Sequence, residues 1–183
     1  MNSIKENKQT EIIIAGYGGQ GVLFAGTLLS QTALEENKKT TWFPSYGAEI
    51  RGGTANSSVI VSNEEIGSPI IVNPDILIAL NEQSFKKFFP KAKENALIII
   101  NSSLVKDIPK GKNIVSIPAT EIADKELKDV RVANIVALGA YLKASNIMPL
   151  SSAKKACETV LADKPKMISL NQKALEMGYN YIK

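Results

Sequence analysis

The sequence predicts an α/β protein, folded as a three-layer α/β/α sandwich around a mostly parallel mixed sheet. Short β-branched apolar runs alternate along the chain with longer segments whose apolar residues recur at helical spacing. One further stretch alternates apolar and polar residues, which is typical of an antiparallel strand. The length of 183 residues and the hydrophobic fraction of 44% fit one core. We therefore expect one domain over residues 11–183, after a disordered polar tail over residues 1–10.

The first part of the chain predicts a strand, a helix, a second strand and a loop, which are in order Ile12–Ala15, Gln20–Leu34, Thr40–Phe43 and Pro44–Gly53. The first strand is a β-branched run that ends at a glycine, and the second stops at a proline. Thr54–Ser62 has the alternating pattern of a strand. The polar residues after it predict a turn into a short antiparallel partner that ends at Val72.

The second part of the chain predicts three more strands and four helices. The strands are Asp75–Leu80, Ala96–Ile100 and Asn113–Ile117, and the helices are Asn81–Phe89, Val130–Ser145, Ser151–Ala162 and Met167–Ile182. Asn81 suits the N-cap of the first of these helices, and Glu82 places a negative charge where the helix dipole favours it. Prolines separate the last three helices.

The sequence contains no histidine and one cysteine, Cys157. It therefore lacks the usual general base, and it cannot supply the four ligands of an iron–sulfur cluster or a structural zinc ion. We predict that this chain carries no catalytic residue, binds no metal and holds no cofactor by itself. A single cysteine also excludes an internal disulfide, which suits a reducing cytoplasm.

Charge and hydropathy argue against nucleic acid and membrane as partners. The net charge is +4, and the lysines are scattered along the chain rather than gathered into one stripe. No run of about 18 apolar residues is present, so the sequence predicts no membrane span.

Four loops with distinctive chemistry follow predicted strands, namely residues 16–21, 44–53, 81–82 and 101–103. The carboxyl ends of parallel strands meet at one edge of a sheet, and ligands or partners bind beyond that edge. We expect these loops to lie together if their strands are parallel.

The first of these loops contains Gly16, Gly18, Gly19, Gln20 and Gly21, which include the G-x-G-x-x-G spacing between a strand and a helix. Glycines there allow a close approach to phosphate. However, the acid expected at the end of the second strand is missing, because that region reads Lys-Thr-Thr-Trp-Phe-Pro. Dinucleotide binding, another phosphate contact and a tight strand–helix crossover remain open, and the crossover is favoured.

The second loop places Ser45, Tyr46, Glu49 and Arg51 before the pair Gly52–Gly53. An arginine followed by glycines can present its planar guanidinium to a carboxylate or phosphate. Alternatively, Glu49 and Arg51 are an exposed ion pair of little energetic weight.

The two loops together resemble the gamma subunit of 2-oxoacid:ferredoxin oxidoreductases. The similarity also includes four other stretches, which are Ser68–Pro69, Pro74–Asp75, Ala79–Glu82 and Ala133–Gly139. It extends from about Ile12 to the last helices. The second loop has a Ser-Tyr-Gly-Ala-Glu form, which is similar to the pyruvate, 2-oxoisovalerate and 2-oxoglutarate branches, with a preference for 2-oxoglutarate or branched-chain acids.

This resemblance implies a Rossmann-like subunit of an enzyme that oxidatively decarboxylates a 2-oxoacid to acyl-CoA and CO2 and reduces ferredoxin. It implies partner subunits alpha and beta, with a ferredoxin-like delta in some complexes. Thiamine diphosphate, Mg²⁺ and 4Fe–4S clusters would belong to those partners, and coenzyme A would be a co-substrate. The isolated chain is expected to be inactive.

The resemblance suggests one face for cofactor or subunit contacts. Its residues are Gly16, Gly18, Gly19, Gln20, Gly21, Ser45, Tyr46, Glu49, Arg51, Gly52, Gly53, Asn81 and Glu82. Two rival interpretations are a free-standing nucleotide-binding Rossmann-like domain and a purely structural scaffold.

Overall fold

The computed structural model describes residues 9–46, 54–111 and 113–183. The strands are β1 (Gln9–Tyr17), β2 (Lys39–Tyr46), β3 (Thr54–Ser62), β4 (Ile76–Ala79), β5 (Leu97–Asn101) and β6 (Ile114–Ile117). The helices are α1 (Val22–Glu35), α2 (Glu82–Phe88), α3 (Ala119–Lys125), α4 (Ala133–Ser145), α5 (Leu150–Val160) and α6 (Pro165–Tyr181). Two short 3-10 helices, Phe89–Lys91 and Val130–Val132, precede β5 and α4.

The strands form one mixed sheet in the order β2-β3-β1-β4-β5-β6. Only β3 runs against its neighbours in this sheet, since it pairs antiparallel with both β1 and β2. The pairs β1–β4, β4–β5 and β5–β6 are parallel. Five strands therefore point the same way, and their carboxyl ends share one edge, called here the carboxyl edge.

Two apolar cores cover the two faces of the sheet, which confirms the three-layer α/β/α architecture. The larger core packs α1 and α3 to α6 against one face, with Leu28, Val136 and Leu175 among its fully buried side chains. The smaller core packs α2 against the other face through Phe85 and Phe88. Burial of these faces is the main driving force for the fold.

Strand β1 is longer than predicted at both ends. It includes Gln9 and Thr10, which the sequence placed in the tail, because they pair with Ser62 and Val61 of β3. It also includes Gly16, which was predicted to begin the loop and instead pairs with Ala55. A long neighbouring strand thus extends the pairing beyond the apolar run.

Strand β2 continues through Pro44, where the sequence predicted that it would stop. Pro44 pairs in register with Ser57, and β2 lies at the edge of the sheet. An edge strand leaves half of its N–H groups without a strand partner, so a proline is tolerated there.

The predicted strand ending at Val72 is wrong. Residues 63–75, all of which are described, contain no strand, and both partners of β3 come from earlier in the chain. Pro69 and Pro74 disfavour regular pairing in this segment, and Ile70 and Val72 are exposed. Helix α3, which has seven residues and follows Pro118, was also not predicted.

Candidate functional site

The carboxyl edge brings together the four predicted loops, as far as they are described. Tyr17 at the end of β1 pairs with Thr54, and Tyr46 at the end of β2 pairs with the next residue of β3. The loops after β4 and β5 begin at the same edge, because those strands are parallel to β1. Ser45 pairs with Asn56 just inside this edge. Glu49, Arg51, Gly52 and Gly53 lie outside the described residues.

The glycine loop, residues 18–21, forms a closed turn between β1 and α1. Gly19 has φ +101° and Gly21 has φ +67°, two conformations that favour glycine. The backbone N–H of Gln20 donates to Tyr17 O at 3.1 Å, and the N–H of Tyr17 donates to Gln20 Oε1 at 2.7 Å. Because of Gly21, helix α1 begins at Val22 rather than at Gln20, where it was predicted.

Gln20 also joins this loop to the loop after β4. Asn81 Nδ2 donates to Gln20 Oε1 at 2.7 Å, and Asn81 Oδ1 accepts the N–H of Ser84 at 2.9 Å. Asn81 is therefore the N-cap of α2, as predicted. The bond between the two side chains spans β1 and β4, the place where open α/β sheets reverse their winding and bind ligands. Side chains of the protein itself occupy part of that crevice.

Glu82, the first residue of α2, is held by its own chain. Its carboxylate accepts the N–H of Lys106 at 2.9 Å and pairs with Lys86 at 3.0 Å. The hydrogen bond from Lys106, followed by that from Lys86, lowers the pKa of Glu82 below its usual value. Glu82 is thus a carboxylate at neutral pH and a poor candidate for proton transfer.

A residue from the far end of the chain fixes the other side of the glycine loop. Asn134, in the first turn of α4, donates from Nδ2 to Gly21 O at 2.8 Å and is 2% exposed. A Cβ on Gly21 would lie 2.5 Å from that nitrogen. Asn134 Oδ1 has no hydrogen-bond partner among the described residues.

Asn101, at the end of β5, ties the last three strands together. Its Nδ2 donates to Leu80 O at 3.0 Å and to Thr120 Oγ1 at 2.9 Å. Its Oδ1 accepts the N–H groups of Ser103 and Thr120, both at 3.3 Å. Asn101 is 1% exposed, so these bonds satisfy its side chain inside the protein.

Two clefts flank the glycine loop and share Gly19. The first cleft, of about 350 Å³, lies over the start of α1 and is bordered by Gly18, Val22 and Phe24. The second cleft, of about 220 Å³, lies between the loop and the starts of α3 and α4, and its lining includes Leu104, Thr120, Val130, Arg131 and Asn134.

Three polar residues of the second cleft were not predicted as site residues: Thr120, Arg131 and Asn134. Thr120 and Arg131 lie in or beside short helices that have no strong pattern of their own. Asn134 is 113 positions from Gly21, with which it bonds. Its polarity within an otherwise apolar helical segment, residues 132–142, was the available signal.

The chain has no histidine, and within the described residues no three Cys, Asp or Glu side chains are grouped so that they could hold a metal ion. Cys157 is buried, and burial raises the pKa of its thiol to about 12. None of the described helices is long and apolar enough to cross a membrane.

Replacing Gly21 with alanine should lower the free energy of unfolding by about 2 kcal/mol. The new Cβ would lie 2.5 Å from Asn134 Nδ2, and φ +67° strains an alanine. Gly18→Ala is the matched control, because no atom of the described residues lies within 4 Å of its added Cβ, and we expect a change within about 0.5 kcal/mol. Urea denaturation of both variants measures the difference, and equal stabilities would contradict the described loop.

Comparison with known proteins identifies relatives whose sequences align with nearly the whole chain. The family model described as pyruvate ferredoxin/flavodoxin oxidoreductase matches residues 11–181. The 2-oxoglutarate synthase subunit KorC of Methanocaldococcus jannaschii is 37% identical over 188 residues, covering 100% of this chain and 99% of KorC. The structure of the keto/oxoacid ferredoxin oxidoreductase gamma subunit from Geobacter sulfurreducens superposes with a TM-score of 0.80 at 32% identity, covering 93% of this chain and 96% of that one.

Some relatives are longer. The ketoisovalerate oxidoreductase subunit VorA of Methanothermobacter marburgensis is 37% identical over 180 residues, which cover 96% of this chain. The chain spans only 37% of the length of that subunit. The same domain thus occurs in relatives both as nearly a whole subunit and as part of a larger chain.

Proposed function

The chain belongs to the pyruvate ferredoxin/flavodoxin oxidoreductase family, and from this premise we propose that it is the gamma subunit of a 2-oxoacid:ferredoxin oxidoreductase. Such a complex decarboxylates a 2-oxoacid, transfers the acyl group to coenzyme A and passes the electrons to ferredoxin. The gamma subunit contributes a shaped surface to this complex and no acid, base or nucleophile. Its partners are the alpha and beta subunits, and a ferredoxin-like delta subunit where one exists.

One observation carries this proposal: the glycine loop, the end of β2 and the loops after β4 and β5 share one edge of the sheet. This edge is the docking face for the catalytic subunits. Closing that face over the reacting acyl group excludes water and positions the thiol of coenzyme A. The docking face needs rigid shape more than reactivity, and the bonds of Gln20, Asn81, Asn101 and Asn134 supply that rigidity.

The rival function, a free-standing nucleotide-binding domain, fits the site less well. The hydrogen bond between Gln20 and Asn81 lies between the ends of β1 and β4, where a dinucleotide would bind. The end of β2 offers no acid for a ribose, since its last four residues are Phe43, Pro44, Ser45 and Tyr46. A surface that binds polypeptides requires neither an open crevice between β1 and β4 nor an acid that binds a ribose.

Thiamine diphosphate, Mg²⁺ and the 4Fe–4S clusters belong to the partner subunits in this proposal. The one cysteine of the chain supplies one thiolate, and it is buried in α5. The 2-oxoacid is 2-oxoglutarate or a branched-chain acid, in line with the names of the KorC and VorA relatives.

Reconstitution tests the proposal directly. The chain is purified alone and together with the alpha and beta subunits encoded in the same organism, and 2-oxoacid-dependent ferredoxin reduction is measured with coenzyme A. We expect activity only from the assembled complex. Calorimetry of the isolated chain with NAD and FAD should show no binding. Tight dinucleotide binding, or activity of the lone chain, would contradict the proposal.

Arg51 is the best candidate for an anion contact in the loop that follows β2. Arg51→Ala in the assembled complex should lower kcat/KM for coenzyme A or raise the dissociation constant for assembly, by about 10-fold if one charge-assisted hydrogen bond is lost. Lys166→Ala in α6 is a control remote from this loop in sequence and should change neither quantity. Unchanged assembly and turnover would show that Arg51 has no such role.

A further inference from the structure

The second cleft has the size of a binding site for a side chain. It extends from Gln20 and the glycine loop to Arg131, and its volume is about 220 Å³. Clefts that bind small molecules usually have about 300–1,000 Å³. The second cleft is thus small for a cofactor and adequate for one or two side chains of another polypeptide.

Two residues that line the second cleft, Gln20 and Thr120, have hydrogen-bond donors that the described residues leave unused. Gln20 uses its Oε1 for Tyr17 and Asn81, and no partner for its Nε2 occurs among the described residues. Thr120 Oγ1 accepts from Asn101, which leaves its own hydrogen to donate. A group that accepts hydrogen bonds would complement these two residues.

Arg131 adds a permanent positive charge to the rim. Its Nε and Nη2 donate to the carboxylate of Asp129 at 2.6–3.1 Å, which fixes the plane of the guanidinium. The N–H groups of Nη1 have no partner in the described part of the chain, and the side chain is 75% exposed. A second carboxylate at that free edge would lie nearer to the guanidinium of Arg131 than to the carboxylate of Asp129. Its attraction to Arg131 would therefore exceed its repulsion by Asp129.

Apolar residues border the same opening. Val130 is 53% exposed and Leu104 is 39% exposed, although both line the second cleft. Arginine is enriched among the residues that dominate binding at interfaces, and the contacts around such a residue exclude water from it. Contact with another chain would bury both side chains.

We propose that the second cleft receives an acidic side chain, glutamate or aspartate, of a catalytic subunit, whose carboxylate binds the free edge of Arg131. This inference rests on the proposed function and names the chemistry by which the docking face recognises its partner. The aliphatic part of that side chain packs against Leu104 and Val130. The unused donors of Gln20 and Thr120, which also line the cleft, bind carboxylate or backbone oxygens of the inserted segment.

Assembly of the complex with an Arg131→Ala chain tests the inference. The dissociation constant for the catalytic subunits should rise about 10- to 100-fold, as for loss of a hydrogen bond to a charged group. Lys125→Ala is the matched control, because Lys125 is an exposed cation on α3 that pairs with Glu121 within its own helix. We expect less than about a 3-fold change for that control.

A second experiment identifies the occupant. A photoreactive benzoyl-phenylalanine in place of Leu104 should cross-link, in the assembled complex, to a peptide of a catalytic subunit that contains the acidic residue. Arg131→Glu should then abolish assembly, and changing that acid to arginine should restore it. Unaltered assembly of Arg131→Ala, or a cross-linked peptide without an acid, would overturn the inference.

The outcomes separate the two proposals. If the wild-type chain does not associate with the catalytic subunits, the proposed function fails. If wild type associates and Arg131→Ala does so equally well, only the inference about the second cleft fails. 2-Oxoglutarate can be titrated into the isolated chain while the NMR signal of the Arg131 side chain is followed. Saturable shifts of that signal would show that a small acid is the occupant, and this result would also overturn the inference about the second cleft.

Discussion

Gly178→Ala is expected to lower the free energy of unfolding by about 3 kcal/mol. The added Cβ would lie 1.8 Å from Val136 O and 3.0 Å from Ala140 N, both backbone atoms of α4. A backbone oxygen cannot rotate away, so α4 and α6 must separate and lose packing along their contact. The gain of about 1 kcal/mol in helix propensity is too small to offset this loss.

Equilibrium unfolding in urea measures the effect, and two further variants define it. Gly139→Ala should be destabilised similarly, because its Cβ would lie 2.2 Å from Leu175 O on the facing helix. Gly67→Ala has no atom of the described part of the chain within 4 Å of its added Cβ and should stay within about 0.5 kcal/mol of wild type. A Gly178→Ala protein as stable as the control would show that the two helix backbones are not in contact.

Gly178→Ala should also change the shape of the docking face, because the displaced helix α4 contacts the glycine loop. This helix carries Asn134, whose side chain holds the carbonyl of Gly21 at 2.8 Å. When α6 pushes α4 away, that hydrogen bond lengthens and the glycine loop loses a support. The small residues at positions 139 and 178 thus help to shape a surface at the far end of α4.

Asn101→Ala should also lower the free energy of unfolding by about 3 kcal/mol. The change removes four hydrogen bonds and leaves the buried oxygen of Leu80 and the N–H of Thr120 without a partner. It also opens a space at the base of the second cleft, since Asn101 lines that cleft. Assembly with the catalytic subunits should weaken together with stability.

Asn113→Ala is the matched control for this substitution. Asn113 is exposed before β6, and its side chain makes one hydrogen bond, to Asn95 O at 3.1 Å. Its loss should cost at most about 0.5–1 kcal/mol, because water replaces the bond. Thermal denaturation of the two variants side by side measures the difference, and similar melting temperatures would contradict the role assigned to Asn101.

Local signals in the sequence were sufficient for most elements of the fold. The β-branched runs before Gly16 and before Asn81 are strands, and Asn81 is an N-cap, because strand burial and capping depend on near neighbours. The pairing of β3 was not predictable in this way. Its partner β1 is separated from it by α1 and β2, so no local pattern links these two strands.

The site shows the same division between local and distant information. Loop positions at the carboxyl edge followed from the alternation of strands and helices. The hydrogen bond from Asn134 to Gly21 joins residues 113 positions apart, so the polarity of Asn134 could mark it as unusual but could not identify its partner. Gln20 and Asn81 were predicted to face another chain, and the structure bonds them to each other through Gln20 Oε1. Their contact with a partner stays a prediction.

Hydrogen–deuterium exchange of the chain, alone and assembled with the catalytic subunits, tests most directly whether the carboxyl edge docks onto other polypeptides. We expect slower exchange on assembly in residues 17–24, 80–84 and 101–105. Residues 91–96, at the opposite edge beside the Lys93–Asp75 ion pair, should exchange as in the free chain. Protection confined to residues 91–96, with the three carboxyl-edge segments unchanged, would contradict the account.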